Sequence, residues 1–141
     1  MFLIDHQTKK PIVNNQTTLP PCGRYLSEIV SVDVCDVPAP NKNFDFCWII
    51  EHTLTNTETL ATYSFTETLF PSGANTRGRK FLYYLKRYFP DLEQIYDLEG
   101  TREELYISWD VHGGYVYPFI CNRFLVAKSP IYEKAYNLIP D

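Results

Sequence analysis

The chain has 141 residues, enough for one domain to bury a core without disulfide or metal staples. Its formal charge is −4, and 45% hydrophobic with 21% charged residues is ordinary globular composition, so a disordered chain is excluded. No run of 18 apolar residues occurs, and the opening Met1-Phe2-Leu3-Ile4 lacks a cleavage signature, so neither a membrane span nor a signal peptide is expected and the cytoplasm is the expected compartment. The cysteines Cys22, Cys35, Cys47 and Cys121 form no CxxC pair, so reduced thiols are expected rather than disulfides or a metal site. Aromatic residues are abundant, 11 Tyr, 9 Phe and 2 Trp against one Met. Such residues favour strands and supply rings that can stack on bases.

Residues 1–23, with Pro11, Pro20, Pro21 and a polar run from Asn14 to Thr18, read as an N-terminal arm. A domain is expected over residues 24–127. Tyr25 to Val34 alternates and is β-branched, which predicts the first strand. A loop with two prolines follows. Phe44 to Leu54 is the second strand, with Phe46, Trp48, Ile50 and Leu54 on one face and Asp45, Glu51 and Thr53 on the other. Ala61 to Phe70 is the third, with Tyr63, Phe65 and Leu69 inward and its threonines outward. The period then changes. Thr76 to Phe89 predicts a helix, stopped by Pro90, with Phe81, Leu82, Tyr84, Leu85, Tyr88 and Phe89 on one arc and Arg79, Lys80, Lys86 and Arg87 opposite. Gly78 near its start weakens the first turn by about 1 kcal/mol relative to Ala. After an acidic link, Glu104 to Val111 predicts the fourth strand, His112-Gly113-Gly114 a hairpin turn, and Tyr115 to Ala127 the fifth strand, where Pro118 implies an edge or a bulge. Residues 128–141, with two prolines, read as a C-terminal tail.

The order β-β-β-α-β-β predicts a mainly-β fold. The expected architecture is a five-stranded OB-like (oligonucleotide-binding) Greek-key barrel with one amphipathic helix between strands 3 and 4. The helix would plug one end with Phe81, Leu85 and Phe89; Trp48, Ile50, Phe65, Ile107 and Trp109 are expected to be buried. A β-sandwich with a surface helix has the same element order. Pro21-Cys22-Gly23-Arg24-Tyr25 opening the first strand, the apolar second strand, Tyr63-Ser64-Phe65-x-Glu67 in the third, Phe81-x-x-Tyr84-Leu85 in the helix, Asp97-Leu98-x-Gly100 and the Gly113-Gly114 turn form a layout over residues 20–127. This layout resembles the small OB-fold single-stranded-DNA-binding proteins of phages and integrative mobile elements. The resemblance implies sequence-tolerant binding of unpaired strands in replication or recombination, without catalysis or cofactor. In some single-strand binders an acidic tail with an apolar-Pro-aromatic tip recruits partners; Leu138-Ile139-Pro140-Asp141 echoes it without the acidic run.

The predicted helix carries Arg77, Arg79, Lys80, Lys86 and Arg87 and no acid, a charge of +5 on a chain of −4. Phosphate attraction supplies most sequence-independent nucleic-acid affinity, so this stripe is a candidate interface, with Tyr83 in its middle as a stacking ring. The bland reading is a solvated helix face. On the fifth strand Tyr115, Tyr117, Phe119 and Arg123 alternate onto one face, a row of rings ending in a cation. Here the bland reading is core. The expected partner is single-stranded DNA or RNA, with a replication, recombination or defence protein as a further partner, an oligomer allowed and no membrane.

Against this reading, the outward faces of the second and third strands, the usual OB binding surface, are neither basic nor aromatic. The acidic stretch Asp91, Glu93, Asp97, Glu99, Glu103 and Glu104 motivates a rival: a mobile-element inhibitor of a host defence nuclease, anti-CRISPR-like, acting as a phosphate mimic. No catalytic motif is present: His6, His52 and His112 are far apart, and Glu51 and His52 point to opposite faces of a strand.

Overall fold

The computed structural model describes residues 2–5, 10–12, 19–36, 46–71 and 76–136, the first two segments as backbone only. The strands are β1 (Phe2–Asp5), β2 (Lys10–Ile12), β3 (Gly23–Asp36), β4 (Phe46–Asn56), β5 (Thr62–Leu69), β6 (Arg102–His112) and β7 (Tyr115–Ala127). The helices are α1 (Thr76–Tyr88), a 3-10 turn over Ile95–Leu98, and α2 (Pro130–Tyr136). All strands join one antiparallel sheet in the order β2-β1-β7-β6-β3-β4-β5. The five long strands and α1 lie where the alternation and the helical period place them. The segment expected as an arm contributes β1 and β2, and the segment expected as a tail contributes α2. The sheet is not closed: β5 pairs with β4 alone among the described residues.

β3 organises the sheet because it is long enough to serve two neighbours. Its first half pairs with β6 from Gly23↔Ile107 to Glu28↔Arg102, while Tyr25 to Asp36 pairs with β4. A register shift between Ile29 and Ser31 bends it there, and the Ile29 backbone turns to Gly100 and Thr101 instead, at 2.7 and 2.9 Å. The bend wraps the sheet around two apolar clusters. One gathers Tyr25, Leu54, Phe65, Leu105 and Ile107. The other holds Ile29, Val32, Ile50 and Leu69 under Phe81, Leu85 and Phe89 of the helical segment, with Leu98 and Tyr132.

Gly78 has a packing reason that the helix period alone does not reveal. A Cβ there would lie 2.1 Å from the Phe70 carbonyl oxygen, so the bare backbone lets α1 approach the end of β5. α2 is capped by Ser129, whose hydroxyl oxygen accepts from the Ile131 and Tyr132 N–H groups at 3.1 and 3.3 Å and donates to the Glu99 carbonyl at 2.7 Å. Pro130 sits at the first helical position, where no N–H is needed. Tyr132 then packs edge-on to Phe89, ring centroids 4.9 Å apart. Ile50, Phe65 and Ile107 are buried as expected, but Trp48 and Trp109 are only half-buried. Trp109 lies near the sheet end, where its indole N–H donates to the Pro20 carbonyl at 2.9 Å.

Candidate nucleic-acid interface

α1 buries Gly78, Phe81 and Leu85 against the sheet and turns Arg77, Arg79, Lys80, Lys86 and Arg87 to solvent. Tyr83 stands among them, 73% exposed. Arg79, Lys80 and Lys86 form no ion pair with any described residue. Arg77 lies 3.9 Å from Asp110 and 4.5 Å over the Phe119 ring, and Arg87 lies over Tyr88. Asp110 is itself held below the usual carboxylate range, first by a hydrogen bond from His112. The helix thus presents cations and one free ring on a single face, with no acid on the helix to neutralise them.

The row expected on β7 does not hold together. Tyr115 is exposed, and Tyr117 and Phe119 are half-buried. Arg123 leaves the row. Tyr106 pairs with Asn122 and Ile107 with Ile120, so Cys121 is an extra residue, a bulge that shifts the alternation by one. Arg123 therefore turns inward with Leu105 as its cross-strand partner, and Phe124 turns out, 54% exposed.

What Arg123 meets inside is a ring of polar side chains between the two apolar clusters. Its guanidinium, 12% exposed, contacts Glu67 at 2.5 Å and Glu103 at 3.5 Å, and lies 4.7 Å over Phe81 and 5.4 Å from the Tyr84 ring. Glu67 bonds His52 Nε2 at 3.1 Å, and His52 Nδ1 bonds the Ser27 hydroxyl at 3.0 Å. Ser27 is the cross-strand partner of Glu103, which completes the circuit through one residue from each long strand. Burial alone would raise the Glu67 carboxyl, but the Arg123 guanidinium and His52 outweigh it and hold it down to about 2. Burial opposes the charge on Arg123 too, and the Glu67 and Glu103 carboxylates more than restore it. The Tyr84 hydroxyl is pushed well up, by burial and then by Glu103; among the described residues neither it nor Glu103 Oε1 makes a hydrogen bond of ordinary geometry.

Ser27, His52 and Glu67 have the residue types of a hydrolytic triad, but the imidazole is reversed, with Nδ1 towards the hydroxyl and Nε2 towards the carboxylate. Both Ser27 and His52 are enclosed, and we read the contact as structural. Sequence reasoning missed this ring, although Ser27, His52, Glu67 and Glu103 each sit in phase with inward apolar residues, which is the signal for a polar group in a core.

Four of the six side chains of the acidic stretch are engaged by other residues of the chain. Glu103 is buried at the ring, Glu104 pairs with Arg24 at 2.6 Å, Asp97 accepts from the Tyr136 hydroxyl at 2.8 Å, and Glu99 accepts from the Val32 N–H at 3.4 Å. Asp91 and Glu93 are exposed. Glu103 is therefore no part of an exposed acidic surface of the kind a phosphate mimic needs.

Among the described residues no helix is long and apolar enough to cross a membrane. Compared with protein-family models, curated proteins and solved structures, the chain has no significant match.

Proposed function

We propose that this chain binds single-stranded nucleic acid with little sequence preference, through the outward face of α1. The observation that carries the reading is the co-location of Arg79, Lys80, Lys86 and Arg87 with the exposed Tyr83 ring on one rigid helix, on a chain whose net charge is −4. Cations spaced along a helix attract successive phosphates, and an exposed ring among them offers a stacking surface to an unpaired base. A net-acidic body makes the stripe directional, since the chain outside the helix carries a formal −9, the −4 of the whole less the +5 of the helix.

We further read the open sheet as an OB-type barrel, which fits the same function. Closing five strands into a barrel needs five adjacencies; β7-β6, β6-β3, β3-β4 and β4-β5 are present, and among the described residues β5-β7 lacks a ladder. Glu67 on β5 and Arg123 on β7 meet across that gap, with α1 against them, so side chains stand where the last ladder would be. The binding surface then lies on the helix side of the barrel rather than on the outward faces of β4 and β5, which carry Glu51, Thr53, Ser64, Thr66 and Thr68.

The test is a salt titration of binding to labelled single- and double-stranded oligonucleotides. Preference for single strands with an affinity that falls steeply with salt is the expected result. No binding to either at low salt would remove the reading.

A further inference from the structure

A cavity of about 640 Å³ lies between α1 and the facing edges of β5 and β7. That is within the range of small-molecule sites. Two of its walls are unbroken runs, residues 65–69 of β5 and 118–123 of β7, because these are strand edges that do not pair with each other. Strand edges present backbone N–H and C=O groups, which can meet the polar edge of a flat ligand. The third wall is α1. Exposed Arg77 and Lys80 mark the solvent side, and buried Arg123 marks the floor.

The charges select an anion with a planar body. Arg77, Lys80 and Arg123 face one carboxylate, Glu67, both of whose oxygens are already engaged by His52 and Arg123. A guanidinium has five N–H donors, and Arg123 directs two bonds to Glu67 and Glu103, so donor capacity remains at the floor. Phe119 and the Arg77 guanidinium already stack at one wall, the type of surface on which bases rest. Lys80 belongs both to this cavity and to the basic face of α1, which makes the two surfaces continuous.

We propose that the cavity takes one nucleotide of a bound strand, its phosphate at Arg77 and Lys80 and its base between the β5 and β7 edges. The proposal rests on the single-strand reading above and deepens it: the helix face follows the backbone, and the cavity draws one base out of the stack.

The experiment is an NMR titration of the full ¹⁵N-labelled chain with thymidine monophosphate, with inorganic phosphate as the comparison, run beside oligothymidylate binding by fluorescence anisotropy. Thymidine monophosphate is expected to move amide signals of residues 65–69 and 119–123, while inorganic phosphate moves only those of α1 near Arg77 and Lys80. Phe119→Ala, which removes the ring that Arg77 lies over at one wall, should abolish the nucleotide shifts on β5 and β7 and weaken oligothymidylate binding about tenfold to a hundredfold, the worth of one stacked base. If that variant does not fold, the wild-type titration still decides. Oligothymidylate binding without monophosphate shifts on β5 and β7 overturns the cavity and keeps the strand-binding reading. Monophosphate shifts without oligonucleotide binding keep the cavity and remove that reading. Identical patterns from the monophosphate and inorganic phosphate, confined to α1, overturn the proposal.

Discussion

Replacing Arg123 by Ala tests whether the buried ring holds the two flanks of the sheet together. The change leaves Glu67 and Glu103, with side chains 11% and 0% exposed, facing each other's surroundings without their guanidinium. Removing one partner of a buried ion pair costs about 3–5 kcal/mol, because the remaining charge has lost its solvent and its partner. The guanidinium also leaves the faces of Phe81 and Tyr84, a contact worth roughly 0.5–2 kcal/mol, though the two losses are not additive on one side chain. The expected loss is therefore about 3–5 kcal/mol, against a total stability on the order of 5–15 kcal/mol for a domain. Urea denaturation at neutral pH measures it. Acid supplies an independent readout. Glu67 is held at about 2 in the folded chain against an ordinary 4.5, so its folded value lies below its unfolded one. Its contribution, about 3 kcal/mol, is present above pH 4.5 and lost as pH falls from there towards 2. Without Arg123 the carboxyl titrates nearer its ordinary range, and the fall in stability between those pH values becomes shallower. A loss below about 1 kcal/mol at neutral pH, with the acid dependence unchanged, would refute the ring as a structural element.

Gly78→Ala should lower the melting temperature although Ala is the better helix former by about 1 kcal/mol, because the new methyl meets the Phe70 backbone and overpacking costs about 1–3 kcal/mol; a higher melting temperature would show that α1 can withdraw freely. Ser129→Ala should cost about 0.5–2 kcal/mol in chemical denaturation, since the α2 cap and the bond to the Glu99 carbonyl go together; an unchanged midpoint would place α2 outside the cooperative unit. Replacing Arg79, Lys80, Lys86 and Arg87 together by Ala should change the slope of log K against log salt by about 3 on single strands, at roughly 0.7 per phosphate contact. Tyr83→Ala should instead lower affinity by about 1–3 kcal/mol with little change in slope; equal effects of the two variants on the slope would contradict their separate roles.

The long strands and α1 were legible because each buries one face, and burying one face imposes a period. Tyr25, Ile29, Ile50, Leu54, Phe65, Leu69, Leu105 and Ile107 all follow it. Three features escaped for different reasons. β1 and β2 are three or four residues long and, with prolines nearby, carry too little pattern to register. α2 spans seven residues, about two turns, and is stabilised mainly by the Ser129 cap and Tyr132 packing. Arg123 does not share a face with Phe119 because the bulge at Cys121 shifts the alternation, and nothing in the composition of that run marks where the extra residue lies. The basic face of α1 was legible for the opposite reason: charges on a helix keep their phase whatever the sheet does.

The bulge and the open gap are linked. Had β7 kept its alternation, Arg123 would have faced outward with Phe119 and left Glu67 and Glu103 buried without a cation, an arrangement costing several kcal/mol. Turning Arg123 inward resolves that cost and places a side-chain pair, rather than a backbone ladder, between β5 and β7. Side chains of Arg and Glu hold two strands further apart than the spacing of about 4.8 Å that a ladder imposes. The ion pair thus both joins the flanks and keeps their edges separated, and the space it preserves is the cavity beside the basic helix.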